Sequence, residues 1–197
     1  MSKVSQEEVD ALLEEIHEHI PDFKIVYKED KGWWKTNIYT FFAWLFFVVM
    51  GFFNPAYEKK FYKRYSNGMQ GNVIVFPNRR DYEDMTQVNV YKLMRHEYVH
   101  LRDQQNHPLW WPISYVLVLP FVFTMRAHWE FRGYQASLLT HYELNGEIPD
   151  WLLDHYQWQF TSGMYGWMMP FKKKVRARLE QMRDDIYAGK ITGYFWE

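Results

Sequence analysis

The chain has 197 residues, a formal net charge of −1, no cysteine and 20% aromatic residues. Its length suits a single domain covering residues 1–197. A net charge this close to zero lacks the basic surface that nucleic-acid binding requires, so we expect no nucleic-acid partner. Because there are no thiolates, any bound metal must be held by histidine and carboxylate side chains.

The amino-terminal part of the chain predicts one helix and one strand. Ser5 and Glu8 have the spacing of a capping box, and apolar residues recur at helical spacing after them, so we expect an amphipathic helix over 6–20 that ends at Pro21. Residues 23–27 form a short strand-like run. The polar first residues are not those of a cleaved secretion signal, so we expect a cytoplasmic protein.

Two apolar segments, 38–53 and 109–125, stand out in the sequence. As a helix, 38–53 would extend over about 24 Å, which is short of the roughly 30 Å hydrocarbon core of a bilayer. We expect the two segments to pack together as one apolar lobe that contacts a membrane surface or a protein partner. The alternative is a pair of ordinary core helices. Membrane association and incorporation into a virion are therefore both considered beside a purely cytoplasmic location.

A β-hairpin is predicted over 60–76. Asn67 and Gly68 form the dipeptide that type I′ turns favour, and they separate two runs rich in aromatic and β-branched residues. Pro77 ends the second run.

Helical patterns dominate the rest of the chain. We expect a helix from about Met85 past His100, with Asp81 or Asp84 as its N-cap. Further helices are expected around 126–130, 151–159 and 172–188. The predicted fold is therefore α+β and mainly helical, with a small hairpin or sheet before the helix that contains His100.

An HExxH motif lies within that helix, as His96-Glu97-Tyr98-Val99-His100. Two histidines four residues apart lie on one face of a helix, so both imidazoles can bind one Zn²⁺ at about 2.0–2.1 Å. Glu97 lies beside that face and can act as the general base that activates water. The alternative interpretation is a charged, solvated stretch of amphipathic helix.

A catalytic zinc site needs a third protein ligand, for which the sequence offers three candidates. His107 is one residue beyond the position that a metzincin would use, and Pro108 after it ends the helix. His128 and Glu130 are two residues apart and face different sides of a helix, so only one of them can reach the metal. Spacing alone leaves the choice between those two open.

The motif is followed about thirty residues later by WEFRGYQA at 129–136. This order, over about residues 60–140, resembles the gluzincins, the thermolysin-like clan of zinc metallopeptidases in which a downstream helical glutamate completes the zinc site. The resemblance implies a zincin-like fold, Glu130 as the third ligand, and an edge strand that holds the substrate backbone. The apolar stretch after the motif resembles the membrane-associated branches, such as CAAX-prenyl proteases and the peptidase domains of β-lactam sensors. The overall order also resembles small bacterial and phage zincins.

The chain departs from the gluzincin pattern at two positions. The clan has an aspartate four residues after the glutamate ligand, where it orients a ligand histidine, but this chain has Tyr134 there. Gly133 stands where the membrane-associated branch has alanine, and both Gly133 and Ala136 are small enough to let two helices approach closely. Asp103 or another acidic residue could replace the missing aspartate.

An oxyanion stabiliser must come from elsewhere in the fold. Tyr165 and His155 are the candidates, and ordinary packing is the alternative for both.

The sequence therefore predicts a zinc metallopeptidase that acts on a peptide or protein substrate, with Glu97 activating water. The alternative is a zincin-fold structural or interaction protein of a virion or membrane assembly, with weak or no activity. The presence of Glu97 favours the enzyme, because metal binding alone does not require it. The aromatic excess and the missing aspartate favour the alternative.

Overall fold

The computed structural model describes residues 4–27, 29–30, 72–111, 114, 125–162 and 168–194. In chain order, these residues form α1 (Gln6–His19), β1 (Lys24–Tyr27), β2 (Val73–Phe76), α2 (Arg79–Glu83), α3 (Gln87–Asn106), α4 (Met125–Asn145), α5 (Asp150–Thr161) and α6 (Lys172–Tyr187). The predicted α+β, mainly helical class is confirmed. The apolar segment 38–53 and most of 109–125 lie outside the described residues, and so do the first strand and turn of the predicted hairpin.

The capping box predicted for α1 is confirmed. The Ser5 side chain accepts from the Glu8 backbone N–H, and the Ser5 backbone N–H donates to the Glu8 carboxylate over 2.7 Å. These bonds satisfy two amide groups that the first turn of a helix would otherwise leave unpaired. The helix ends at His19, just before Pro21. A hydrogen bond links its last turn to α3, since the hydroxyl of Tyr98 lies 2.7 Å from Nδ1 of His19.

The described sheet is a parallel pair of strands, β1 and β2, with Lys24 opposite Val73 and Tyr27 opposite Phe76. Both strand positions were predicted from the sequence. A parallel pair needs a crossover connection, which the long chain between the two strands supplies. The described part of the sheet that precedes the HExxH helix is therefore a long-range parallel pair.

The N-cap prediction for α3 was wrong. Thr86 caps this helix, and its side chain accepts from the backbone N–H of Asn89. Asp81 and Asp84 belong to the short helix α2 instead, which begins after Asn78 and has Asp84 as its C-cap. A helix cap must directly precede the helix, so the intervening α2 removed both aspartates from that role.

Two apolar cores lie on either side of the α3–α4 contact. The first core lies between α1, the sheet and α3, and it includes Ile16, Ile74, Phe76, Met94, Tyr98 and Trp129. The second core lies between α4, α5 and α6, and it includes Phe131, Leu138, Leu153, Phe160, Val175 and Leu179. The helix α3 packs along α4 over much of its length. Residues on the facing sides of α3 and α4 therefore lie at the junction of the two cores.

Within the described ranges, no helix combines the length and the apolar character that a membrane crossing requires.

Candidate metal centre

Three side chains with metal-binding atoms converge where α3 meets α4. Nε2 of His96 and Nε2 of His100 lie 3.1 Å apart, and a carboxylate oxygen of Glu130 lies 3.8 Å from the first and 3.9 Å from the second. The three potential ligand atoms all lie within 4.8 Å of one another. They come from two helices whose sequence positions are about thirty residues apart, so the cluster depends on tertiary packing.

The spacing of these atoms fits a tetrahedral metal ion. Ligand atoms at about 2.0–2.2 Å from one Zn²⁺ lie about 3.3–3.5 Å apart when the site is tetrahedral. The observed separations of 3.1, 3.8 and 3.9 Å bracket that range. Two imidazoles and one carboxylate are also a ligand set that suits zinc and leaves one position open. His96, His100 and Glu130 can therefore hold a metal ion, as expected from the sequence.

Gly133 allows the two helices to come this close. A Cβ atom at this position would lie 2.6 Å from Cε1 of His96 and 2.9 Å from Nε2 of His100. Because carbon atoms do not approach so closely, any side chain here would push the imidazoles or the helix away. The expectation that Gly133 permits a close helix approach is confirmed. Ala136, one turn further on, is fully buried at the same contact.

Aromatic rings surround the two histidines. The ring of Tyr134 meets that of His96 edge-on at a centroid distance of 5.1 Å, and the ring of Trp111 lies 6.3 Å from that of His100. His100 and Glu130 are buried, whereas His96 is partly exposed. The cluster is therefore more accessible to solvent at His96 than at His100 or Glu130.

The pKa values of the two histidines are shifted in opposite directions. Burial, followed by the charge of His96, lowers the pKa of His100 to about 3, so this imidazole is neutral and has a lone pair to offer. Burial also acts to lower the pKa of His96, but the interaction with Glu130 and the charge of Glu97 raise it overall. Burial would raise the pKa of Glu130, but the two histidines and Arg126 bring it below its usual value. The carboxylate of Glu130 is therefore ionised, as a metal ligand must be.

Glu97 lies on the turn between the two histidines and is buried. One of its carboxylate oxygens, Oε2, has no hydrogen-bond partner among the described residues. Burial raises the pKa of Glu97 to about 7, with the charge of His96 opposing the shift and that of Glu130 adding to it. A buried carboxylate oxygen without a hydrogen-bond partner is unfavourable for folding, which makes Glu97 a candidate for a chemical role.

Ser137 orients His96, and sequence reasoning missed this residue. The Ser137 hydroxyl donates to the backbone carbonyl of Gly133 over 3.1 Å, which leaves its oxygen free to accept from Nδ1 of His96 at 3.0 Å. A proton on Nδ1 leaves the Nε2 lone pair directed at the metal position. Ser137 lies seven residues after Glu130, on the same helical face, and this spacing could have revealed it.

A buried tyrosine adjoins this serine. Burial raises the pKa of Tyr156 to about 12, although the nearby Ser137 hydroxyl acts to lower it. The ring of Tyr156 also packs on that of Tyr134, with 4.5 Å between centroids. Tyr156 is thus a neutral hydroxyl group beside Ser137, which in turn contacts His96. No sequence pattern pointed to this residue.

Asp103 pairs with an arginine of α4. Its two carboxylate oxygens accept from Arg132, over 2.6 Å from Nη2 and 2.9 Å from Nε. Burial raises the pKa of Asp103, and Arg132 acts in the opposite direction. This bidentate ion pair joins α3 to α4 one turn beyond His100. Tyr134 occupies the position where the gluzincin pattern has its orienting aspartate, and the hydrogen bond to Nδ1 of His96 comes from Ser137.

The other sequence candidates lie apart from the cluster or outside the described residues. His107 and His128 are exposed, and each packs beside Trp129, at 5.6 and 5.1 Å between ring centroids. His155 is exposed on α5, where its ring faces Trp158. Tyr165 lies outside the described residues, so its oxyanion role stays a prediction.

Comparisons of this chain with protein-family models, with curated proteins and with solved structures found no match. The likeness to gluzincins therefore rests on the order of the motif residues and on the cluster of His96, His100 and Glu130.

Proposed function

We propose that this protein is a zinc-dependent metallopeptidase whose site is formed by His96, His100, Glu130 and Glu97. The observation that carries the proposal is the convergence of two imidazoles and one carboxylate within 4.8 Å. A second carboxylate, that of Glu97, is buried on the same helix turn. This combination is the one that water activation beside a metal requires.

His96, His100 and Glu130 would hold the metal ion. Zinc, when bound, supplies a Lewis acid that polarises the scissile carbonyl and the attacking water. With the carboxylate of Glu130, the metal ion and its three ligands would together carry one positive charge, and Ser137 would hold His96 in the tautomer that exposes Nε2.

Glu97 would move the proton. Its unpartnered oxygen can accept a proton from water as the water attacks the carbonyl carbon. The protonated carboxyl group can then donate the same proton to the leaving amine, so one residue serves as base and then as acid. No described residue other than Glu97 is both buried beside the histidines and left with a carboxylate oxygen lacking a hydrogen bond.

The experiment is elemental analysis of protein grown with zinc, combined with cleavage of a proteome-derived peptide library read by mass spectrometry. We expect about one zinc per chain, lost in His96→Ala. Glu97→Gln should retain zinc but lose about a hundred- to ten-thousandfold in cleavage rate, because it removes a general base.

His128→Ala is the matched control, since His128 is exposed on α4 near Glu130 without belonging to the cluster. It should retain both zinc and cleavage. A wild-type protein without metal would overturn the zinc site. A wild-type protein that holds zinc but cleaves no peptide would overturn the peptidase and favour a structural zinc protein.

A further inference from the structure

The outward face of α5 carries aromatic side chains that are largely exposed. Trp151 and Trp158 are 61% and 46% exposed, and they lie seven residues apart, two turns along one face of the helix. His155 lies between them and stacks against Trp158 with 6.3 Å between ring centroids. The opposite face of α5, with Leu153 and Phe160, is buried in the second core. The two tryptophans therefore do not contribute to that core.

A lysine cluster lies at the Trp158 end of this face. The side-chain amide of Gln157 donates to the backbone carbonyl of Lys172 over 2.8 Å, which places the start of α6 beside the end of α5. Phe171 is 46% exposed there, and Nζ of Lys174 lies 5.3 Å from the centre of its ring. Lys172, Lys173 and Lys174 are all exposed. We call Trp158, Phe171 and 172–174 the aromatic–lysine surface.

The nearby acidic groups are already paired with arginines. Asp150 and Asp154 of α5 accept from Arg176, over 2.8 and 2.6 Å, and Asp150 also accepts from Arg183 over 2.8 Å. Among the described residues, the three lysines at 172–174 form no ion pair. Cations in the first turn of a helix are also disfavoured by the helix dipole. Apart from the contact of Lys174 with Phe171, the lysine cluster therefore makes no charged contact that would stabilise the described part of the chain.

We propose that the aromatic–lysine surface binds the anionic headgroups of a lipid bilayer. Lysines with no acidic partner among the described residues are complementary to a negatively charged membrane, which attracts each of them independently. Exposed tryptophan and phenylalanine rings beside them can enter the interfacial region, where amphipathic rings are stable. A nucleic acid is the less suitable partner, because the cluster spans only one helix turn and is smaller than the basic patch that a phosphate backbone would require. This inference does not depend on the proposed zinc site.

The experiment is flotation of the full-length protein with vesicles of phosphatidylcholine containing about one-third phosphatidylserine, compared with phosphatidylcholine alone. We expect binding to the anionic vesicles and little to the neutral ones. The triple variant Lys172→Gln, Lys173→Gln, Lys174→Gln should lower the partition coefficient about a hundredfold, since each lysine near such a surface contributes about fivefold. Trp158→Ser combined with Phe171→Ser should lower it about tenfold, because less apolar area then enters the interfacial region.

A second triple variant controls for the change in net charge. Lys24→Gln, Arg80→Gln and Lys190→Gln remove three exposed cations elsewhere, and this variant should bind within about threefold of the wild type. Equal losses in both triple variants would overturn the proposal, as would no binding to anionic vesicles. Loss of binding in Trp110→Ser alone would also overturn it, because the contact would then belong to the segment 109–125.

Titration with a single-stranded oligonucleotide separates the two classes of partner. Oligonucleotide binding that depends on 172–174, without vesicle binding, would overturn the lipid assignment. Circular dichroism of each variant verifies that these exposed substitutions leave the helices intact.

Discussion

The Ser137 side chain forms a hydrogen bond with His96. This bond would orient the imidazole toward any metal bound at the site. Its hydroxyl donates to Gly133 and accepts from Nδ1 of His96 at 3.0 Å, so the imidazole has one preferred tautomer and one preferred orientation. Groups that orient a ligand histidine contribute about ten- to a hundredfold to metal affinity. A serine here provides the acceptor that the gluzincin pattern would draw from an aspartate four residues after Glu130.

We therefore expect Ser137→Ala to weaken zinc binding by about ten- to a hundredfold while leaving the metal-free protein folded. Competition with a chromogenic chelator measures the affinity. Ser162→Ala is the matched control, because the Ser162 hydroxyl is buried without a hydrogen-bond partner in the described part of the chain. Unchanged affinity in Ser137→Ala, with normal binding by the wild type, would remove Ser137 from the orienting role and leave the zinc site standing.

Gly133 lies directly against the His96 ring, with no room for a side chain. The added methyl group of Gly133→Ala would lie 2.6 Å from Cε1 and 2.7 Å from Nε2 of His96, so the ring or the helix must shift. We expect at least a tenfold loss of zinc affinity, because ligand geometry must be held within a fraction of an ångström. Zinc affinity is again the measurement. Gly193→Ala, where a Cβ would meet nothing within 4 Å, should bind zinc as the wild type does.

At the scale of elements, α3 and α4 run antiparallel and are cross-linked on both sides of the cluster. Before the histidines, Arg95 donates to Thr140 over 3.3 Å and pairs with Glu143. Beyond them, Asp103 pairs with Arg132. These two links fix the relative position of the helices along their axes. The register of His96 against Gly133 and Ser137 then follows from them.

Asp103→Ala tests whether this aspartate joins helices or orients a ligand. The Asp103 carboxylate is almost fully buried, so its removal leaves Arg132 without its partner and should lower the free energy of unfolding by about 3 kcal/mol. Urea denaturation measures this change. Asp84→Ala removes a carboxylate from an exposed pair with Arg80 and should cost less than about 1 kcal/mol. Because we assign Asp103 to the contact between the helices, the zinc stoichiometry of Asp103→Ala should be unchanged. Loss of zinc from this variant would instead show that Asp103 is the acid that orients a ligand histidine.

At the scale of the whole molecule, the cluster lies between the two apolar cores. The helix α3, with His96 and His100, packs mainly against the first core, whereas α4 supplies Phe131 and Leu138 to the second. A metal ion bound by both helices would therefore link the two cores directly. Such a link resists separation of the cores as well as local unfolding of either helix.

Zinc should accordingly stabilise the entire described fold. At a free zinc concentration about one hundred times the dissociation constant, binding to the folded state alone adds about 2.7 kcal/mol to the free energy of unfolding. Urea titrations with and without zinc should show one transition that moves to higher urea. The His96→Ala variant should show no shift, and an equal shift in that variant would mean that zinc stabilises the protein elsewhere.

The sequence alone predicted features that depend on neighbours a few residues apart. The capping box of α1 and the shared face of His96 and His100 follow from helical geometry, which repeats every 3.6 residues whatever surrounds it. The positions of β1 and β2 followed from short runs of β-branched and aromatic residues. The wrong cap for α3 arose within the same local range, because the short helix α2 was not recognised.

Contacts between residues far apart in the sequence became known only from the packing of the helices. The choice between His128 and Glu130 was open from spacing alone, and it depends on which side of α4 faces α3. The contact of His96 with Ser137 joins residues 41 positions apart, and that of Asp103 with Arg132 joins residues 29 apart. Such contacts depend on how two helices pack, and packing is set by the burial of many side chains together, so no local repeat encodes them.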